Sequence, residues 1–436
     1  MGVRDFLPDA AARRRDIAER LLSLFEQWGF ERIMTPMFEC ADVLERGLGK
    51  DARAAALRFV EPTSGEVVAM RPDITPQVAR IAATRLGDVG GPLRLCYEGA
   101  VMRLEEGPRG QREILQAGAE LVGAPPPAGD VEAIALAAAA LASTRIGELR
   151  LDLGHMALVR HALAGLEDGE MLGALETALV KKDRAGIARA SAGLPPEKRE
   201  LLDLLPGLYG PPADVLARAR AIPLPEEVSA SIDGLSSVID QLRDLVDEEL
   251  YAGITVDLGE VRGFDYYTGI RFSGYAAGAG EAVLQGGRYD QLLSRYGQGA
   301  RATGFAVDIE AVARAQRACD TSRPARRDRV LVAPSEDRTA EAARMASLLR
   351  GESIPSAVHL GDQDDDAALL RYARQVGFSR VLMLDAGGGA RAYCVDKDAG
   401  QQARPVKAET LAAATAGAAA GLSGLFSALA LEARGR

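Results

Sequence analysis

Residues 66–81 read EVVAMRPDITPQVARI. EVVAMRPD is rich in apolar and β-branched residues and predicts a strand. ITPQVARIAATRL (74–86) has helical spacing, with Pro76 in the first turn where a missing N–H does no harm. Arg71, Asp73 and Thr75 therefore sit where a strand gives way to a helix. Working outward, PLRLCYEGAVMRLEE (92–106) reads as two strands joined at Gly99, and EILQAGAELVG (113–123) as a further apolar strand. Arg103 and Glu105 share one face by the strand period of two, as do Gln116, Gly118 and Glu120 on the next strand. Arg262, Asp265, Tyr266 and Tyr267 follow another strand, GITVDLG (253–259). Polar residues on apolar strands line either a polar cleft or the solvent face of an antiparallel sheet, and composition leaves both open.

The wider pattern has three blocks. Upstream, 11–29 is helical with Gly29 as its stop, and ERIMTPMFE (31–39) is a short β-like run broken by Pro36. APPPAGD (124–130) breaks the chain before a helix at 131–144 and a strand at 148–154. From about 155 to 250 the pattern is almost wholly helical, which suggests an inserted subdomain. Strands return at DYYTGIRFSGY (265–275) and AVLQGG (282–287), and RATGFAVDIEAVARAQ (301–316) passes from strand to helix. TSRPARRDR (321–329) reads as a linker. Beyond it strands and helices alternate, ending in an Ala-rich closing helix. The expected organisation is a body over 1–320, with the helical insertion at about 155–250, and an α/β domain over 328–436.

Composition narrows the function classes. The chain has 436 residues, 47% hydrophobic and 26% charged, the balance of a globular protein. Its net charge of −10 disfavours general binding to a phosphate backbone and leaves room for a local basic groove. Cys40, Cys96, Cys319 and Cys394 lie far apart, and His155 and His161 are six apart, so neither a disulfide framework nor a metal site is expected. Sparse cysteines suit a reducing cytoplasm, and neither a secretory signal nor a membrane span is read. No GxxxxGK[ST] loop, GxSxG or HExxH occurs, and the glycines of GAGEAV and GGRYD lack the strand-then-helix grammar of a dinucleotide site. The acidic run Asp362, Asp364, Asp365 and Asp366 reads as a solvated helix start. No cofactor is expected.

Five ordered motifs, GVRDFLP (2–8), MRPDITPQVARI (70–81), REILQAGAELVG (112–123), VRGFDYYTGIRF (261–272) and GGRYDQLLSRYG (286–297), together resemble the histidyl-tRNA synthetase lineage over roughly 1–320. The resemblance implies an α+β fold: a class II aminoacyl-tRNA synthetase-like antiparallel sheet core with a helical insertion, plus a C-terminal α/β domain like that lineage's anticodon-binding domain. Two subfamilies share this body, the synthetase and the regulatory subunit of ATP phosphoribosyltransferase. RPDITPQVARI, LDLGHMALVR (151–160), VKKDRAGI (180–187) and QREILQAGAELVG (111–123) look like the regulatory family. Amino-acid activation also needs cations on ATP phosphates. Where a synthetase shows a pattern like GFAxGxERL, this chain has GFAVDIEAV (304–312). Ala311 stands at the arginine position and Asp308 at the preceding glycine. Losing one such donor costs roughly 2.7–4 kcal/mol, or 10²–10³ in rate.

By family position, Asp73, Thr75 and Glu120 would hold the α-amino group of histidine. Gln116 and Arg262 would address its carboxylate, and Tyr266 and Tyr267 would frame the imidazole. Arg103 and Arg112 are candidates for a ligand phosphate, Arg103 alternatively pairing with Glu105. The resemblance implies a noncatalytic, histidine-sensing subunit that activates a short-form ATP phosphoribosyltransferase in the first step of histidine biosynthesis. It also implies a homodimer, through ERIMTPMFE, within a hetero-oligomer. The alternative is an active histidyl-tRNA synthetase. Three features depart from the regulatory pattern. A C-terminal domain is retained, Ser273 stands where both subfamilies usually have Glu, and GPRGQRE (107–113) differs from the usual AGRQRE.

Overall fold

The computed structural model describes residues 2–104, 112–166, 169–263, 266–319, 328–335, 337–361, 365–395 and 403–431. Glu105, Asp265, Asp362 and Asp364 lie outside them. The chain divides into two compact units, Met1–Ser322 and Arg323–Arg436.

The first unit is organised by a nine-stranded sheet. Its centre is antiparallel, in the spatial order Leu93–Met102, Glu113–Val122, Ala302–Asp308, Leu284–Arg288, Ile270–Tyr275 and Arg150–His155. Glu31–Arg32 adds to one edge in parallel, and Thr255–Asp257 and Tyr209–Gly210 extend the other. Strand alternation gives the sheet two unlike faces. Ala117, Ala119 and Leu121 join Phe272, Phe305 and Val307 in one apolar core. Helices Pro8–Gln27, Ala128–Ser143 and Ile309–Ala318 close that core with Leu21, Phe25, Leu136, Leu141 and Val312. Gln116, Gly118 and Glu120 point to the opposite face. A buried ion pair, Arg14 Nε to Glu310 Oε1 at 2.7 Å, locks the first helix to the last of this layer.

One reading is corrected here. Gly99 does not join two strands, because Leu93–Met102 runs through it unbroken. The glycine leaves room for Arg71, whose guanidinium a Cβ at residue 99 would strike. Arg71 is buried and donates to Ala100 O (2.8 Å), Thr35 O (3.0 Å) and Thr35 Oγ1 (2.6 Å), tying three segments together. The block from Met156 to Ala252 is helical apart from the Tyr209–Gly210 strand, which pairs onto the large sheet. Its apolar side chains, including Leu175, Leu202, Leu235 and Ile239, belong to the same core as the sheet. A small second sheet orders Phe38–Cys40, Val67–Met70 and Arg58–Val60.

The second unit is a five-stranded sheet in the order Ser356–Val358, Val330–Ala333, Arg380–Leu384, Ala390–Cys394, Arg404–Val406. The first three strands are parallel and the last two antiparallel. Both faces are covered, as a parallel sheet requires. Val330, Val332, Leu382 and Leu384 pack under Thr339–Gly351 and the C-terminal helices, and Leu331, Val381 and Met383 pack under Asp366–Gln375. The Ala-rich tail is two helices, Ala408–Thr415 and Ala419–Leu429, not one. Gly417, at φ +78°, adopts the left-handed conformation that ends the first. Asp365 caps Asp366–Gln375 by accepting from Ala367 N at 2.9 Å. Among the described residues no helix is long and apolar enough to cross a membrane.

Candidate functional site

The polar face of the large sheet floors a cleft of about 660 Å³. Register builds the floor in rows. Glu120 lies beside Gly304, Gly304 beside Gly287, and Gly287 beside Arg271. One row along, Gly118, Ala306, Gln285 and Ser273 run side by side. Gln116 and Asp308 form the next. Asp73, Thr75, Gln116, Arg103, Arg262, Tyr266 and Tyr267 all line this one cleft, although they are spread over nearly 200 residues of sequence. Polar alternation therefore marks a cleft and not a solvent face. Among the described residues no group of three or more His, Cys, Asp or Glu could hold a metal ion.

Glu120 stands on the cleft face of strand Glu113–Val122. It is buried, at 1% exposure, and stands behind the lining. Its Oε1 accepts from Thr75 Oγ1 (2.7 Å) and Tyr97 OH (3.2 Å), and its Oε2 from Tyr289 OH. Burial pushes its carboxyl up to about 8, against the pull of these hydroxyls, and the charge of Asp73 pushes the same way. Glu120 is thus a hub that orients Thr75 and Tyr289, which do face the cleft. The space for it exists because residue 304 is glycine, since a Cβ there would overlap Glu120 Oε2.

Above this hub sits the turn read first in the sequence. Asp73 Oδ1 accepts from Ile74 N (2.7 Å) and Thr75 N (3.3 Å), so the carboxylate serves the N-terminus of helix Thr75–Thr84 while lining the cleft. Arg103 Nε donates to Pro72 O at 3.0 Å, which holds the same turn from the neighbouring strand. Tyr266 stacks edge-on against Tyr267 (5.1 Å between centroids) and tilts over Tyr289 (5.5 Å). Two buried polar atoms of the lining, Gln116 Oε1 and Tyr266 OH, have no hydrogen-bond partner among the described residues. Each such orphan costs about 1–3 kcal/mol, which a polar ligand in the cleft would recover.

On the sheet's far side Glu260 fixes the cationic wall. Its Oε1 accepts from Arg262 N (2.9 Å) and Nε (3.0 Å), Arg262 NH2 lies 2.8 Å from Oε2, and Arg271 NH1 lies 3.6 Å from Oε2. These cations hold the Glu260 carboxyl below its usual range despite burial. Arg262 is thereby pre-oriented, its outer surface exposed to the cleft.

The last wall is anionic. Asp308 lines the cleft and caps helix Ile309–Ala318 by accepting from Ala311 N at 2.8 Å. Burial pushes its carboxyl up, and Arg103 opposes that shift. Ala311 is fully buried. Arg314 pairs with Glu281, another lining residue. Arg112 is not on the lining; its carbonyl accepts from Arg103 N at 2.9 Å, so it backs Arg103 on the neighbouring strand. Sequence reading assigned no role to Tyr97, Tyr289, Glu260 or Tyr275. Tyr97 was accessible to it, being an aromatic on the cleft side of a strand and directly opposite Gly118, whereas Tyr289 meets Glu120 only across the folded sheet.

With this geometry in place, the known relatives agree. A family model of histidyl-tRNA synthetase matches residues 2–312. An ATP phosphoribosyltransferase regulatory subunit of Geobacter sulfurreducens is 37% identical over 416 residues, 94% of this chain and 93% of that protein. One from Anaeromyxobacter dehalogenans is 43% identical over 71% of this chain and 88% of its own length. A Bacillus halodurans crystal structure, described as an ATP phosphoribosyltransferase regulatory subunit/histidyl-tRNA synthetase, superposes with a TM-score of 0.72 at 26% identity, covering 85% of this chain and 95% of that one. Histidyl-tRNA synthetase from Nostoc shares the fold, with a TM-score of 0.75 at 18% identity and 95% and 98% of the two chains covered. Fold and cleft define a class II synthetase-like protein of the histidyl type. Within that class, the chain belongs to the family of ATP phosphoribosyltransferase regulatory subunits.

Proposed function

We propose that this chain is a noncatalytic regulatory subunit that binds a short-form ATP phosphoribosyltransferase catalytic chain, activates it, and takes free histidine in the cleft as a feedback signal. The observation that carries this reading is the contrast within the cleft lining. Asp73 and Thr75 offer acceptors for an ammonium, Arg262 offers a cation for a carboxylate, and Gln116 and Tyr266 hold unsatisfied polar atoms ready for a polar ligand. Tyr266 and Tyr267 supply aromatic surface for an imidazole. Glu120 supports Thr75 from behind and so acts as a positioning residue, with Asp73 the main counter-charge.

The alternative reading, histidine activation by ATP, is disfavoured by the same lining. Asp308 and Glu281 place carboxylates in the cleft, and Ala311 provides no cation where charge would develop on a polyphosphate. Arg314 is engaged by Glu281. The chain then works in the cytoplasm as a homodimer within a hetero-oligomer. Met34, at 93% exposure, and the half-exposed Phe38, Phe59 and Val67 support the contact through residues 31–39 and the small sheet.

The test is phosphoribosyl-ATP formation by the purified short transferase with and without this chain, with histidine titrated in. A rise on adding the chain, suppressed by histidine, is expected. No change, together with histidine-dependent ATP–pyrophosphate exchange by the chain alone, would establish the synthetase reading instead.

A further inference from the structure

A second concavity, with a lining that shares no residue with the cleft, is formed by Leu48, Gly49, Lys50, Arg53, Ala54, Arg58 and Arg295. It is an open groove of about 620 Å³. Four of these side chains are cationic, in a chain whose net charge is −10. Chance placement on an acidic surface would surround such cations with carboxylates. Here the groove is organised mainly by main-chain carbonyls. Arg53 NH2 donates to Glu45 O (2.8 Å), Arg58 NH2 to Arg53 O (2.9 Å) and Arg295 NH1 to Arg46 O (3.3 Å). A carbonyl orients a guanidinium and leaves its charge in place. Glu45 Oε1 accepts from Arg58 Nε at 2.5 Å, and Lys50 is engaged as well, so Arg53 and Arg295 are the two lining cations whose hydrogen-bond partners among the described residues are main-chain carbonyls alone. Arg53 and Arg295 reach the groove from elements 242 positions apart, the short helix Lys50–Ala54 and the 3₁₀ turn Leu293–Tyr296, so the convergence is tertiary.

We propose that this groove is a binding site for a phosphorylated small molecule, with the Arg53 and Arg295 guanidinium groups as its donors. The Arg53 and Arg295 guanidinium groups, oriented by main-chain carbonyls, suit phosphate oxygens, which accept parallel N–H donors. The site is independent of the histidine cleft and of the reading given to it.

The probe is inorganic pyrophosphate, titrated calorimetrically into the full-length chain at constant ionic strength, with inorganic phosphate and ATP as comparison ligands. Saturable pyrophosphate binding is expected, weakened roughly tenfold or more in both Arg53→Ala and Arg295→Ala. These side chains are exposed, so both variants should keep the wild-type melting temperature. Arg103→Ala, in the cleft, should leave pyrophosphate affinity unchanged. Stronger binding of ATP than of pyrophosphate, lost in the same variants, would make the ligand a nucleotide and keep the site. Pyrophosphate binding that survives both groove variants, or is abolished by Arg103→Ala, would overturn the proposal. So would binding of a short RNA at the groove with no pyrophosphate competition.

Discussion

The two ends of the cleft are built on opposite principles. One end centres on Glu120, a buried carboxyl wrapped by Thr75, Tyr97 and Tyr289 with Tyr266 stacked above. The other, four strand residues or about 13 Å away, has Gln116 beside Asp308, with Arg103 and Glu281 on the rim. The first end is hydroxyl-rich, with Asp73 as its carboxylate on the lining and its geometry determined by a closed hydrogen-bond network. The second is charged, and its acids sit where a phosphate-activating enzyme needs cations. A cleft can keep the recognition of a small zwitterion while losing the electrostatics of a reaction, because recognition rests on fixed donors and acceptors and catalysis rests on charge placed where it develops.

The largest expected effect tests the recognition end. Asp73→Asn keeps an acceptor for the helix N-terminus and removes the charge, so histidine affinity should fall by about 2–5 kcal/mol while the fold persists. Calorimetric titration checks it, and wild-type affinity would sink the pocket assignment. Next comes Gly304→Ala, which drives a methyl into Glu120. Overpacking of this kind costs about 1–3 kcal/mol or more, and the denaturant midpoint should fall accordingly.

Glu120 also predicts a pH dependence with a definite sign. The folded chain holds its proton up to about 8, whereas the unfolded chain sheds it near 4.5. Between those values the folded state binds more protons, so the contribution of this group to stability falls as pH rises and levels off above 8. Glu120→Gln should flatten that decline in melting temperature between pH 5 and 8. A slope unchanged by the substitution would show that the hub is already ionised. A smaller effect, of opposite sign in two assays, is expected at Gln116. Gln116→Leu removes an unpartnered acceptor, so it should stabilise the unliganded chain by about 1 kcal/mol while weakening histidine binding. The smallest concerns the other end of the cleft. Asp308→Ser keeps a helix cap and removes the anion, and ATP binding by the cleft should strengthen less than about tenfold. A large gain in ATP–pyrophosphate exchange from this single change would mean that the missing arginine matters less than the added acid.

Much of the cleft was legible because strands report their faces. The period of two on 113–122 separated Gln116, Gly118 and Glu120 from Ala117, Ala119 and Leu121 before any coordinates, and the structure puts the first set on the cleft face and the second in the core. Gly99 was misread because a glycine in a strand signals either a turn or a close approach, and only the position of Arg71 separates the two. What the helical block packs against was not legible, because helical periodicity announces an apolar face without saying which surface covers it. The depth of Glu120 behind Thr75 and Tyr289 was not legible, because family position gives a residue's neighbourhood and not its burial.

What the sequence determined by itself was local and periodic: the strand and helix types, the turn at 71–75 with its polar triad, alanine in place of arginine at 311, and the motif order that marks the family. What only tertiary structure decided was convergence and burial. It brought Tyr289 onto Glu120, Glu260 onto Arg262 and Arg295 beside Arg53, and it set which carboxyls lose their water. The physical reason is range. Backbone preference and side-chain period act over a few residues, whereas desolvation and charge pairing depend on whatever the fold brings within a few ångströms.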